Sequence, residues 1–192
     1  MINLIFGSID DTNYITGYKV GSQALLGTSK NAKVIPWEPT GSNPINEPCT
    51  ILIRHPYRKI LSGLIQVLVF NRPPNINEIS YKDIPPFQSC KKFLVRNLNN
   101  HWTLLKSNPH LSIYHEYMYK LTTKFDNYKV LDITDWNIKN LNTDLMHSNK
   151  EYYPSLEKAL KSKKLKKRFK YSIDKLIERE IYYYELLTKL KE

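Results

Sequence analysis

At 192 residues the chain has the length of one domain of about 100–200 residues, 1–192 as a single unit, with room for a proper core. Its 41% hydrophobic and 12% aromatic residues exclude a disordered chain, and 29 basic against 18 acidic residues leave a formal charge of +11 that favours polyanions, phosphate-bearing molecules or acidic surfaces. Cys49 and Cys90 stand 41 positions apart with no Cys-x-x-Cys spacing, which argues against a disulfide framework or a thiolate zinc site and for a reducing, cytoplasmic setting.

The opening "MINLIFGSIDD" has a short apolar run, no basic leader and acids directly behind it, so it reads poorly as a signal peptide. No run approaches the ~18 apolar residues of a membrane span. Residues 14–19 read as a strand and 23–26 as the start of a helix, a first βα turn. Residues 33–48, "KVIPWEPTGSNPINEP", hold four prolines and one glycine and read as an irregular loop. "CTILIR", 49–54, reads as a short buried strand. Pro56 then opens a helix that places Ile60, Leu61, Leu64 and Leu68 on one face, a second βα turn. Residues 87–98 read as helix, 110–116 as strand, 116–125 as helix and 129–133 as strand. This alternation predicts an α/β fold, a parallel sheet flanked by helices. From about 154 to 192 the chain reads as a basic region of two helices.

Ligands of open parallel sheets sit outside the carboxyl ends of the strands, so the two βα turns are where chemistry is expected. In the first, Lys19 brings a point charge, Gly21 allows close backbone approach, and Ser22 and Gln23 add donors beside a helix start. In the second, Arg54 ends a strand and Ser62 follows eight residues later; a guanidinium can clasp a phosphate through two parallel hydrogen bonds. Gly21 with Ser22 also reads as an ordinary strand-to-helix turn capped by serine. The spacing of a Walker A loop is absent, which disfavours an ordinary nucleotide triphosphatase.

"YKVGSQALL" followed by "ILIRHPYRKILSGL" resembles the sulfotransferases that use 3'-phosphoadenosine 5'-phosphosulfate, particularly the carbohydrate sulfotransferases. The first stretch is similar to that family's 5'-phosphosulfate loop and the second to its 3'-phosphate segment, although Tyr18 and His55 stand where Pro and Asp or Asn are usual. "NNHWTLL" and "EREIYYYELL" are weaker likenesses. The resemblance implies a P-loop-like architecture in which Lys19 meets the leaving phosphate oxygens, Gly21, Ser22, Gln23 and Ala24 wrap the 5'-phosphate, and Arg54 with Ser62 holds the 3'-phosphate. It also implies transfer of a sulfuryl group to a hydroxyl or amine of an acceptor such as a carbohydrate, without a metal and with adenosine 3',5'-bisphosphate as product.

Such a transfer needs positioning, charge neutralisation at the leaving group and a base. The base candidates are His101, favoured because imidazole titrates nearer neutrality, Glu38 in "IPWEPTG", and after them His115. Taken alone, His101 and Trp102 read more readily as a packed pair, and Glu38 as a solvated loop residue. Tyr182, Tyr183 and Tyr184 cannot all share one side of a helix, so at least one should be exposed.

An alternative of a different class is a binding module without catalysis. Residues 158–170, "KALKSKKLKKRFK", carry eight basic residues and no acid, a patch that attracts nucleic acid or other polyanions without sequence preference. The same run also reads as a solvated helix face. Frequent Asn and Lys point to an AT-rich coding source, viral or bacterial.

Overall fold

The computed structural model describes residues 2–65, 111, 113–136, 154, 157–158 and 163–190, and of residues 65 and 163–174 the main chain alone. Five strands form one sheet in the order β3-β1-β2-β4-β5. β1 (Ile2–Ile9) and β2 (Thr12–Thr16) are an antiparallel hairpin in register from Ile5↔Thr16 to Ile9↔Thr12. Its two turn residues, Asp10 and Asp11, have φ 47° and 60°. Two successive positive φ angles match the right-handed twist of the strands, and Asp tolerates them better than most side chains.

β3 (Lys33–Trp37) pairs antiparallel to the other side of β1. The expectation of an irregular loop over 33–48 therefore fails for its first five residues. Pro36 sits opposite Asn3 on the outermost strand, where a missing N–H costs no ladder bond.

β2 pairs parallel with β4 (Cys49–Ile53), and β4 pairs parallel with β5 (Tyr128–Asp132). The expected parallel sheet is thus realised in β2-β4-β5, while β1 and β3 run antiparallel beside it and make the sheet mixed. Ile15, Ile51, Leu52 and Ile53 are fully buried at its centre. Cys49 is a free buried thiol that burial pushes up to about 12, so it acts as packing rather than as a nucleophile.

α1 (Ser22–Thr28) follows β2 and packs against β1, with Leu25 close to Gly7. α2 (Pro56–Ile65) opens on its proline and buries Ile60, Leu61 and Leu64 as the spacing predicts; Leu68 lies outside the described residues. α3 (His115–Lys124) buries Met118 and Leu121. α4 (Lys163–Lys189) lies against both α2 and α3.

The strand expected over 110–116 is absent from its described residues, 111 and 113–116, because His115 already begins α3 and Tyr114 is its cap. The reason is remote in sequence: the Glu180 carboxylate on α4 accepts the Tyr114 N–H at 2.9 Å and the His115 N–H at 3.3 Å, satisfying donors that a helix start leaves open. Helical residues at 154 and 157–158 precede α4, in keeping with a helical end of the chain. The helix expected over 87–98 lies outside the described residues. Among the described residues, no helix is long and apolar enough to cross a membrane.

Candidate functional site

Because β2, β4 and β5 are parallel, the segments that leave their carboxyl ends share one edge of the sheet. These are the 17–21 turn, Arg54 with His55, and residues 133–136. Ile133 N–H donates to Ile53 O at 2.9 Å, which holds the third segment against the second. A Cβ on Gly21 would stand 3.1 Å from the Trp136 ring and 3.7 Å from Ile133, so the third segment also closes on the first.

The first turn is wound tightly. Val20 N–H donates to Gly17 O at 3.2 Å, and the Thr16 hydroxyl reaches both Gly17 O and Val20 O. Lys19 takes a left-handed φ of 67° and Gly21 one of 77°. A left-handed lysine costs about 1–2 kcal/mol, and such strain persists where the surroundings over-determine it. Beneath the turn lies Tyr114, whose hydroxyl donates to Leu52 O at 2.6 Å. A Cβ at Gly17 would come within 2.5 Å of the Tyr114 ring, so glycine is required there.

The structure brings Lys19 and Arg54 together. Arg54 Nη1 donates to Lys19 O at 3.0 Å, across 35 positions of sequence. Burial, with the Arg54 charge beside it, lowers the Lys19 ammonium to about 8. An anion bound near these two cations would replace the lost hydration and relieve the repulsion that together lower Lys19.

The other expected residues fall at graded distances from this pair. Gly21 caps α1 without a side-chain bond, and Ser22 is its first helical residue rather than its cap. Ser22 and Ala24 are buried, so Ala24 can offer a ligand only its backbone N–H, while Gln23 is exposed. Ser62 is buried on α2, ~9 Å along the helix axis from Pro56. Glu38 is exposed just after β3, at the same end of the sheet but two strands from β2, a lateral step of ~10 Å. His115 is fully buried, with Nδ1 2.7 Å from Glu180 Oε2. His101 lies outside the described residues.

Several residues at this edge escaped the sequence reading. Asp132, buried at the end of β5, accepts the Tyr184 hydroxyl at 2.7 Å and the Thr134 N–H at 2.9 Å. Burial and the Asp132 carboxylate together raise the Tyr184 phenol, so it stays a donor. The exposed His55 ring meets Tyr184 edge-on at 5.5 Å. Of the three consecutive tyrosines, Tyr182 is 58% exposed, as their spacing requires. Lys59 on α2 and Glu180 on α4 are buried within 3.7 Å of one another, a pairing that no local pattern announces. Among the described residues, no group of three or more His, Cys, Asp or Glu side chains could hold a metal ion.

The fold and this edge define a mixed α/β protein with two cation-bearing turns converging at the carboxyl ends of parallel strands. Compared with models of protein families, with curated proteins and with solved structures, the chain matches none.

Proposed function

We propose that the chain is a sulfotransferase of P-loop-like architecture that takes 3'-phosphoadenosine 5'-phosphosulfate as donor and a hydroxyl or amine, carbohydrate included, as acceptor. The observation that carries the reading is the Arg54–Lys19 contact. The two motifs that resemble the family's phosphate segments are distant in sequence, yet the guanidinium of one reaches the backbone of the other, and its charge adds to burial in depressing the Lys19 ammonium. The donor set suits phosphates: an ammonium, a guanidinium, a glycine that admits close backbone approach, and no demand for a metal. The buried free Cys49 thiol fits a cytoplasmic setting.

The nucleotide supplies the activated sulfuryl group. Lys19 places positive charge where the leaving phosphate gains negative charge, and its partial burial strengthens that interaction over its value in water. Arg54 and Ser62 hold the 3'-phosphate and so fix the nucleotide in register. Glu38 or His101 accepts the acceptor proton, with the exposed position of Glu38 leaving it open to solvent and substrate. The test is transfer of labelled sulfate from the donor to panels of hydroxyl and amine acceptors. Label on an acceptor, lost with Lys19→Ala, supports the reading; label that never leaves the donor with any acceptor class contradicts it.

A second reading, polyanion binding without catalysis, is favoured by the start of α4, whose first turn contains no acid. Lys163, Lys164, Lys166 and Lys167 concentrate positive charge on one stretch of that helix. Mononucleotide binding that depends on those lysines, and not on Lys19 and Arg54, would favour it.

A further inference from the structure

The two turns of the candidate site are joined a second time, behind the sheet edge, by one carboxylate. Glu180 is fully buried, as is His115, and Lys59 is 1% exposed. Glu180 Oε1 accepts the Tyr114 N–H at 2.9 Å, and Oε2 lies 2.7 Å from His115 Nδ1 and 3.7 Å from Lys59 Nζ.

Two of these partners bear on the turns, Tyr114 on both and Lys59 on the second. Tyr114 packs under Gly17, and its hydroxyl fixes Leu52 O, two residues before Arg54. Lys59 lies in the first turn and a half of α2, with its N–H on His55 O at 3.1 Å. The contacts therefore close a circuit: Lys19 to Arg54, along α2 to Lys59, through Glu180 to Tyr114, and back through Gly17 to Lys19.

Burial alone would raise the Glu180 carboxyl, but the His115 hydrogen bond, the Lys59 charge and the Tyr114 amide outweigh it and hold the group below the usual carboxylate range. Lys59 is correspondingly pushed down by burial and only partly restored by Glu180. For holding α4 in place, well-packed apolar side chains would serve as well as a buried ion pair or better. What apolar packing does not supply is direction, because a carboxylate fixes the orientation of each donor it accepts.

We propose that Glu180 is the positioning residue of the anion site, setting Arg54 through Lys59 and α2, and the Lys19 turn through Tyr114. What the site binds rests on the nucleotide reading above; the mechanical part does not.

The test compares the full chain with its Glu180→Gln variant by hydrogen exchange. Glutamine keeps the size and one acceptor oxygen but not the charge. Exchange is expected to rise about tenfold or more at residues 17–22 and 54–59 while the β1–β2 hairpin is unchanged. A uniform rise across the chain, a rise at one turn alone, or no rise overturns the proposal.

The Lys59→Met, Glu180→Leu double variant fills the same volume without charge and covers the case in which the single variant does not fold. Full protection of both turns in it would show that packing suffices and also overturn the proposal. Calorimetry with adenosine 3',5'-bisphosphate forms a separate arm. Affinity should fall about tenfold in Glu180→Gln, the lower end of what the supporting partners of metal ligands are worth; equal affinity with loosened turns contradicts the proposal. A parent protein that binds no nucleotide removes the nucleotide reading, and the exchange data still decide the role of Glu180.

Discussion

Arg54 donates a hydrogen bond from Nη1 to the main-chain oxygen of Lys19 at 3.0 Å, so the cation of the second βα turn fastens the backbone of the first. That oxygen belongs to a residue with φ 67°, in a region lysine rarely occupies. The contact fixes a strained turn and holds the Arg54 charge near enough to add to burial in depressing the Lys19 ammonium.

Removing the Arg54 charge should therefore be felt at Lys19. In Arg54→Ala the Lys19 ammonium is expected to titrate above its present value of about 8, yet below an ordinary lysine, because burial, the larger cause, remains. NMR titration of labelled lysine checks this. An unchanged value would mean that the two charges do not interact.

The same value sets a pH dependence for anion binding. Lys19 must be protonated to hold a phosphate, and its free-state value is about 8. Affinity should be level from about pH 6, where a phosphate monoester loses its second proton, to about 8. Above that it should fall by up to about tenfold per pH unit, the linkage slope for one proton. Affinity that holds constant to pH 10 contradicts a charged role for Lys19.

Gly17→Ala forces a Cβ to within 2.5 Å of a ring that is 1% exposed and hydrogen-bonded at its far end to Leu52 O. The ring cannot withdraw without breaking that bond. A loss of about 1–3 kcal/mol, the usual scale of overpacking, is expected from urea unfolding. An unaltered midpoint would show that the turn has more freedom than its contacts imply.

Lys19→Ala should lower turnover more than nucleotide affinity, since the charge it meets grows on the way to the transition state. Steady-state kinetics with calorimetry separate the two effects. Lys19→Gly adds a control for the backbone: it relieves the left-handed strain, so it should unfold no more easily than Lys19→Ala while losing the same turnover. A glycine variant that is clearly less stable than the alanine one would mean that φ at 19 carries no strain.

Much of the fold could be read from short local patterns. The strands that became β4 and β5, the helix opening at Pro56, and the helix over 116–125 all carry their own periodicity and flanking signals. β3 was hidden by its proline, which weighs against a strand unless the strand is known to lie at an edge, and edge position is a property of the whole sheet. The start of α3 was hidden because its cap comes from Glu180, more than sixty positions away. The site divides in the same way. Lys19, Gly21 and Arg54 stand out because each follows a strand within a recognisable spacing, although β2 ends at Thr16 rather than at the Lys19 that closes the strand expected over 14–19. Lys59, Tyr114, Asp132 and Tyr184 do not, since their significance arises from pairing across the fold rather than from their neighbours in sequence.

The most direct measurement is calorimetric titration of the full chain at pH 7 with adenosine 3',5'-bisphosphate and, separately, with adenosine 5'-monophosphate. If Arg54 clasps a 3'-phosphate while Lys19 holds the 5' side, the bisphosphate should bind about 10- to 150-fold more tightly, the worth of ~1.5–3 kcal/mol in charge-assisted hydrogen bonds, and Arg54→Ala should erase most of that margin. Equal affinities for the two nucleotides in the parent protein would contradict the account.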